Sequence, residues 1–233
     1  GALDRLLDEY RERPLKIASV TSCSNVTGLF TPYHDIAERM HRAGGLCFVD
    51  FACSAPYIDI DMRPPGRPEA QLDAIFFSPH KFLGGPGTPG VLVFDQKLYR
   101  NRIPDNPGGG TVDWTNPWGE HKYVDDIEAR EDGGTPGFLQ AIRAALCVEL
   151  KESMSPARML AREAELLAIL WPGLRAIPGL HLLAIGADAN GFQRLQPAPQ
   201  NQGQDHRHQG QHCQAIRQPH RAGGARGAVV LVE

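Results

Sequence analysis

An apolar run, Asp73-Ala74-Ile75-Phe76-Phe77, passes without a break into Ser78-Pro79-His80-Lys81 and then into the glycine-rich turn Gly84-Gly85. Residues of this kind in this order read as a buried strand that ends on a hydroxyl, an imidazole and an amine. A lysine at the end of a buried strand is costly unless it is paired or consumed in a covalent bond. The arrangement therefore suits a Schiff base on Lys81 with an anionic cofactor beside it. Ser78 and His80 are close enough in sequence to donate hydrogen bonds to a phosphate.

The flanking pattern sets the fold class. Leu3, Leu6, Leu7 and Tyr10 recur at helical spacing up to Pro14. Leu15 to Thr21 reads as a strand apolar on both faces, and a polar turn, Ser22 to Thr27, follows. Pro32 opens a helix with Ile36, Ala37 and Met40 on one side, closed by Gly44-Gly45. Leu46 to Val49 is a second strand that ends on Asp50, Ala74 to Phe77 a third, and Val91 to Phe94 a fourth. Strand, helix, strand, loop, strand predicts a parallel α/β sheet, whose ligands bind at the carboxyl ends of the strands. Asn25, Asp50 and Lys81 each follow a different strand, so one crevice can hold all three.

Farther on, Gly108 to Gly134 reads as loop, with Trp114 and Trp118 packed within it. Thr135 to Glu152 and Ser155 to Leu170 read as helices, the second with a capping serine and a proline at its first position. Leu180 to Ile185 is one more candidate strand. Domain organisation follows as residues 1–150, 151–191 for the start of a second, smaller domain, and 192–233 for a tail. Phe192 to Arg226 is dominated by Gln, His, Arg, Pro and Gly and has no apolar period. Either it is a disordered polar extension or it is sequence read out of frame. The opening Gly1-Ala2-Leu3, with no methionine, fits a fragment or a trimmed chain.

Several function classes drop out. A net charge of −3 leaves no basic footprint for nucleic acid and no polybasic membrane anchor. No apolar run reaches the length of a transmembrane helix. Gly84-Gly85-Pro86-Gly87-Thr88 lacks the Gly-Lys-Ser/Thr ending of a P-loop, and no G-x-G-x-x-G joins a first strand to its helix. His206, His208, His212 and Cys213 have metal-like spacing but lie in a low-complexity tract, so no metal site is expected. The five cysteines form no CxxC pair, which favours reduced core thiols in a cytoplasmic protein. Asp50, ending Leu46-Cys47-Phe48-Val49, is either a cap or simple ion pair, or a carboxylate that keeps a pyridine nitrogen protonated.

Four motifs carry a resemblance: Ser24-Asn25-Val26-Thr27-Gly28, Val49-Asp50-Phe51-Ala52, Ser78-Pro79-His80-Lys81 and Gly133-Gly134-Thr135-Pro136. In order and approximate spacing, over residues 15 to 150, they resemble the aminotransferase class V family of fold type I pyridoxal-phosphate enzymes, which includes cysteine desulfurases and selenocysteine lyases. The resemblance implies a mostly parallel sheet flanked by helices, a large domain incomplete at its N-terminus, and pyridoxal 5'-phosphate as cofactor. It implies that Lys81 forms the Schiff base and shuttles the substrate α-proton. Asp50 would pair with the ring nitrogen, Asn25 would sit by the phenolic oxygen, and Ser78 and His80 would hold the phosphate. Thr135 would reach the cofactor phosphate of a neighbouring subunit, which implies a homodimer, and Gly108 to Thr111 would lie near that shared site. The implied substrate is an amino acid and the implied activity is cysteine desulfurase-like. The alternatives are another class V activity, such as transamination or epimerisation, or a family member that keeps the fold without turnover.

Departures from the family pattern accompany the likeness. Cys53 stands where the family usually has a glutamine on the cofactor oxygen, and a thiol is the weaker donor. The family's first phosphate-binding turn and its ring-stacking residue have no counterpart. Its substrate-clamping arginine has none outside the tail, where Arg194, Arg217 and Arg221 lie. Cys213 is no substitute for the mobile-loop cysteine of a desulfurase.

Overall fold

The computed structural model describes residues 1–181 and the backbone of one later strand, Gly227–Val232. Helix α1 (Ala2–Glu9) is followed by β1 (Ile17–Thr21), α2 (Tyr33–Arg42) and β2 (Leu46–Asp50). Next come β3 (Ala74–Phe77), β4 (Gly90–Asp95), a short hairpin of β5 (Val112–Thr115) and β6 (His121–Tyr123), and a single turn of helix, α3 (Ile127–Glu131). Two longer helices, α4 (Phe138–Met154) and α5 (Pro156–Arg175), precede β7 (Gly227–Val232).

The main sheet has the order β1-β2-β3-β4-β7. β1, β2 and β3 are mutually parallel, as the strand–helix–strand pattern predicts. β4 runs antiparallel to β3, and β7 antiparallel to β4. The twelve residues between β3 and β4 hold only a 3₁₀ turn and a glycine-rich loop, with no helix to carry the chain back for a parallel pairing.

Alternation along the strands sorts side chains onto two faces. Cys47, Val49 and Ile75 point to one side, where Ala37 of α2, Phe51, Phe82 and Cys147 of α4 complete the larger core cluster. Phe48 and Ala74 belong to the opposite side, with Phe94 and Ile127. Asp50, two residues after Phe48, shares that second face at the carboxyl end of β2.

α2 is fastened to the sheet by polar contacts as well as by Ala37 and Met40. Asp73, just ahead of β3, accepts the Cys47 backbone N–H at 2.7 Å and bonds His41 Nε2 of α2 at 2.8 Å. His41 Nδ1 lies 2.7 Å from the Glu69 carbonyl oxygen. This buried polar knot is invisible to hydrophobic patterning.

Several expectations are corrected. β1 is an edge strand rather than a strand buried on both faces; Ile17 is 46% exposed and Leu15, ahead of it, 64%. α1 ends at Glu9, well before Pro14, and buries no residue. The Gly108–Gly134 stretch is not all loop, because β5, β6 and α3 fall inside it. The hairpin turn is closed by the Asn116 side chain, whose Oδ1 accepts the N–H groups of Trp118 at 3.1 Å and Glu120 at 2.9 Å. Trp118 is 84% exposed and Trp114 48%, so neither is packed in the chain. Ser155 joins α4 to α5 at φ 61° and does not cap α5 through its side chain, although Pro156 does open that helix.

Strand β7 falls within the segment read as a tail. Arg194, His206, His208, His212, Cys213, Arg217 and Arg221 lie outside the described residues, as does Leu182 to Ile185 of the candidate strand; Leu180 and His181 are not in a strand. No helix among the described residues is long and apolar enough to cross a membrane.

Candidate active site at the carboxyl ends of the parallel strands

The parallel register brings three strand ends together. Thr21 pairs with Asp50, and Asp50 with Phe76. The ladder continues past the strands, with the Ser22 N–H on the Asp50 carbonyl at 2.8 Å and the Phe51 N–H on the Phe76 carbonyl at 2.9 Å. The segments bearing Asn25, Asp50 and Lys81 therefore leave the sheet side by side.

Each segment is shaped locally. After β1, the Ser24 hydroxyl accepts the N–H groups of Val26 at 3.3 Å and Thr27 at 3.2 Å, a serine turn that holds Asn25 exposed at its tip. After β2, Asp50 Oδ1 accepts the Ala52 N–H at 2.7 Å, which fixes the carboxylate's orientation. After β3, a 3₁₀ turn (Pro79–Lys81) reverses the chain, closed by Lys81 N–H to the Ser78 carbonyl at 3.1 Å and Phe82 N–H to Pro79 at 2.9 Å. The rings of Phe77 and Phe82 stack 5.9 Å apart at 18°, so residues 78–81 form a short excursion between two packed aromatics.

That excursion explains a difference from the sequence-based expectation. β3 begins in the core, but the turn lifts His80 and Lys81 to the surface, where both are exposed, while Ser78 stays half-buried. Lys81 thus pays no burial cost in this chain.

Gly85 sets the height of the turn. A Cβ there would lie 1.9 Å from the Pro79 carbonyl oxygen and 3.0 Å from the His80 Cα, so only glycine lets the chain fold back beneath the Lys81 turn. Gly85→Ala is expected to destabilise the protein by about 1–3 kcal/mol, the usual range for overpacking. Chemical denaturation would measure the loss, and an unchanged midpoint would contradict the close approach. α4 supports the turn from outside, with Arg143 Nη1 donating to the Pro86 carbonyl at 2.7 Å and Cys147 beneath Gly84.

The structure also joins two motifs separated in the sequence. Thr111 is fully buried, and its hydroxyl donates to the Gly108 carbonyl at 2.6 Å. Gly134 N–H donates to the Gly109 carbonyl at 2.8 Å, and a Cβ on Gly133 would meet the Asn106 carbonyl oxygen at 2.5 Å. Gly108–Thr111 and Gly133-Gly134 therefore form one interlocked unit, with Thr135 exposed just beyond it. A cleft of about 360 Å³ lies beside this unit, lined in part by Thr111, Asn116, His121 and Tyr123; neither Lys81 nor Asp50 borders it.

Cys53 is half-buried in the turn after Asp50, and its side chain interacts with that of Cys23. Burial pushes the Cys23 thiol up to about 11, with Cys53 and the charge of Glu163 adding to the effect. Ser22 and Ser54, beside these cysteines in sequence, share a buried hydroxyl–hydroxyl hydrogen bond of 2.5 Å. Sequence reasoning missed the pairing of Cys23 with Cys53. Each cysteine sits just past a parallel strand, a signal that becomes legible only once the register is known.

The donor set fits pyridoxal phosphate. It offers an amine, a carboxylate on the neighbouring strand end, and hydroxyl and imidazole donors in the turn bearing the amine, which suit an aldehyde, a ring nitrogen and a phosphate respectively.

Comparison with known proteins gives a consistent picture. Residues 2–192 match the family model for Aminotransferase class-V. A cysteine desulfurase from Synechococcus elongatus is 31% identical over 180 residues, covering 76% of this chain and 28% of the relative. The fold is similar to the crystal structure of the cysteine desulfurase CsdA from Escherichia coli, with TM-score 0.59 and 23% identity, over 70% of this chain and 39% of that one. It is also similar to a C-DES mutant with glycine covalently linked to its PLP cofactor, with TM-score 0.60 and 20% identity, over 80% of this chain and 48% of that one. The chain spans between 28% and 33% of the length of the first curated relatives it matches.

Proposed function

Because this chain belongs to the aminotransferase class V family, we propose that it bears the cofactor-attachment site of a pyridoxal-phosphate-dependent enzyme acting on an amino acid, with a cysteine desulfurase-like activity. The observation that carries this reading is the placement of Asp50 and the Lys81 turn on adjacent parallel strand ends. Pyridoxal phosphate, when bound, supplies the electron sink that weakens the bonds at the substrate's α-carbon.

The chain's own residues do the rest. Lys81 would hold the cofactor through its amine and would serve as the base that takes the substrate α-proton. Its exposed position lets substrate reach the amine. Asp50, aimed by the Ala52 N–H, would pair with the ring nitrogen and favour its protonated form. Ser78 and His80 would hold the phosphate, Asn25 would orient the phenolic side of the ring, and Cys53 would stand near that oxygen. Thr135, exposed beyond the interlocked glycine turns, would serve a second subunit's site in a homodimer. A cytoplasmic setting belongs to this reading, in keeping with the free thiols of the described residues.

The test is direct. Purified protein mixed with pyridoxal phosphate should turn yellow and then release sulfide from cysteine faster than it forms keto acids from a panel of other amino acids. Colour without sulfide release would move the assignment to another class V activity. A protein that stays colourless with added cofactor would overturn the reading.

A further inference from the structure

The structure assigns a modification site to the same end of the sheet: Cys23 and Cys53 form a dithiol that a peroxide closes into a disulfide across the ends of β1 and β2. This inference concerns the chain's own thiols and is tested on the protein without added cofactor.

The register supplies the geometry. Because Thr21 and Asp50 are paired, the segments following them run alongside each other. The Ser22–Ser54 hydrogen bond at 2.5 Å pins them together inside the protein. Cys23 directly follows one of these serines and Cys53 directly precedes the other, and the two cysteine side chains interact. The other described cysteines lie elsewhere in the fold: Cys47 is within β2, and Cys147 is on α4 beneath Gly84.

Exposure divides the roles. Cys53 is half-buried and open to a small oxidant, whereas Cys23 is only 6% exposed. A peroxide transfers one oxygen to the Cys53 sulfur as its O–O bond breaks, leaving a sulfenic acid and a first water. The Cys23 thiol, kept protonated by its burial, attacks slowly: the S–S bond forms, the S–O bond breaks, and the Cys23 proton leaves with the hydroxyl as a second water. Two thiols have lost two hydrogens and one peroxide has become two waters. A dithiol reductant reverses the change.

The location gives the bond a consequence. Asp50 is oriented by the Ala52 N–H, and Cys53 is the next residue. A disulfide to Cys23 ties this turn to the segment carrying Asn25, so oxidation acts on two candidate cofactor contacts together.

The experiment treats the full chain with hydrogen peroxide, alkylates free thiols under denaturing conditions, digests it and maps the peptides by mass spectrometry. The expected product joins the Cys23 and Cys53 peptides and is two hydrogens lighter than their sum, and dithiothreitol removes it. In Cys23→Ser the reaction should stop at a Cys53 sulfenic acid trapped by dimedone; in Cys53→Ser, Cys23 should remain alkylatable. Wild-type protein in which both thiols still take the alkyl label after peroxide overturns the inference. So does a cross-link that joins Cys53 to Cys47, Cys147 or Cys213 instead. The wild-type map alone decides the question should either variant fail to fold.

Discussion

Lys81→Ala is expected to abolish borohydride-stable attachment of pyridoxal phosphate and to lower turnover by about 10²–10⁴-fold, the usual contribution of a positioned proton-transfer group. The substitution should leave the fold intact. Lys81 is exposed, and the turn around it is held by backbone bonds from Lys81 N–H to Ser78 and Phe82 N–H to Pro79, which alanine can also make. The stacking of Phe77 on Phe82 does not involve the lysine side chain. The denaturation midpoint should therefore match wild type while reduction with borohydride adds no mass to the peptide containing residue 81. If that peptide still carries the cofactor, or if mass is added elsewhere in wild type, another amine is the attachment point. Lys81→Arg separates charge from chemistry, since a guanidinium keeps the positive charge but is a poor nucleophile at neutral pH.

The second large effect belongs to stability. Asp73→Ala is expected to cost about 3–5 kcal/mol, because it breaks a buried charge pair and leaves its partners behind. The Cys47 N–H loses its acceptor in the middle of the sheet, and His41, with its side chain 11% exposed, loses its counter-charge. The same contact makes stability depend on pH. Both ring nitrogens of His41 face acceptors, Asp73 at 2.8 Å and the Glu69 carbonyl at 2.7 Å, and only the imidazolium can donate to both. Burial acts to lower the His41 pKa, but the Asp73 hydrogen bond, the Glu69 backbone bond and their charges outweigh it, so the net shift is upward. The unfolded imidazole titrates at about 6.5. Below that pH the contribution is fully present, and it is lost as pH rises through the higher folded-state value. Denaturation midpoints measured across this window should fall for wild type and stay flatter for His41→Gln. Equal slopes would show that the pair does not titrate with folding.

Much of the fold was legible because its parallel half obeys simple periodicity. β2 and β3 each alternate cleanly or run apolar; β2 ends on Asp50, and Ser78 directly follows β3. The order of Asn25, Asp50 and Lys81 was enough to predict that they follow neighbouring strands, since strand ends in a parallel sheet point the same way. What stayed hidden depended on partners distant in sequence. β1 reads as a buried strand from its own residues, but edge or centre is a property of its neighbours. The β5–β6 hairpin is short and mostly polar, so its signal was the Asn116-Pro117-Trp118-Gly119 turn rather than any apolar face. His41 and Asp73 carry no periodicity at all. Lys81 is the instructive case: its place after an apolar strand was read correctly, while its exposure depended on the reversal at Pro79 and Gly85.

The interlocked glycine turns alter what a sequence signature here records. Gly133 has no room for a side chain because Asn106 is against it, and Gly134 reaches Gly109 by a backbone bond. A substitution at Gly133 would press on the Gly108–Thr111 side of the contact as well as on its own turn. The two stretches, twenty-odd residues apart in the chain, are thus a single constraint written twice, and they should tolerate change together or not at all.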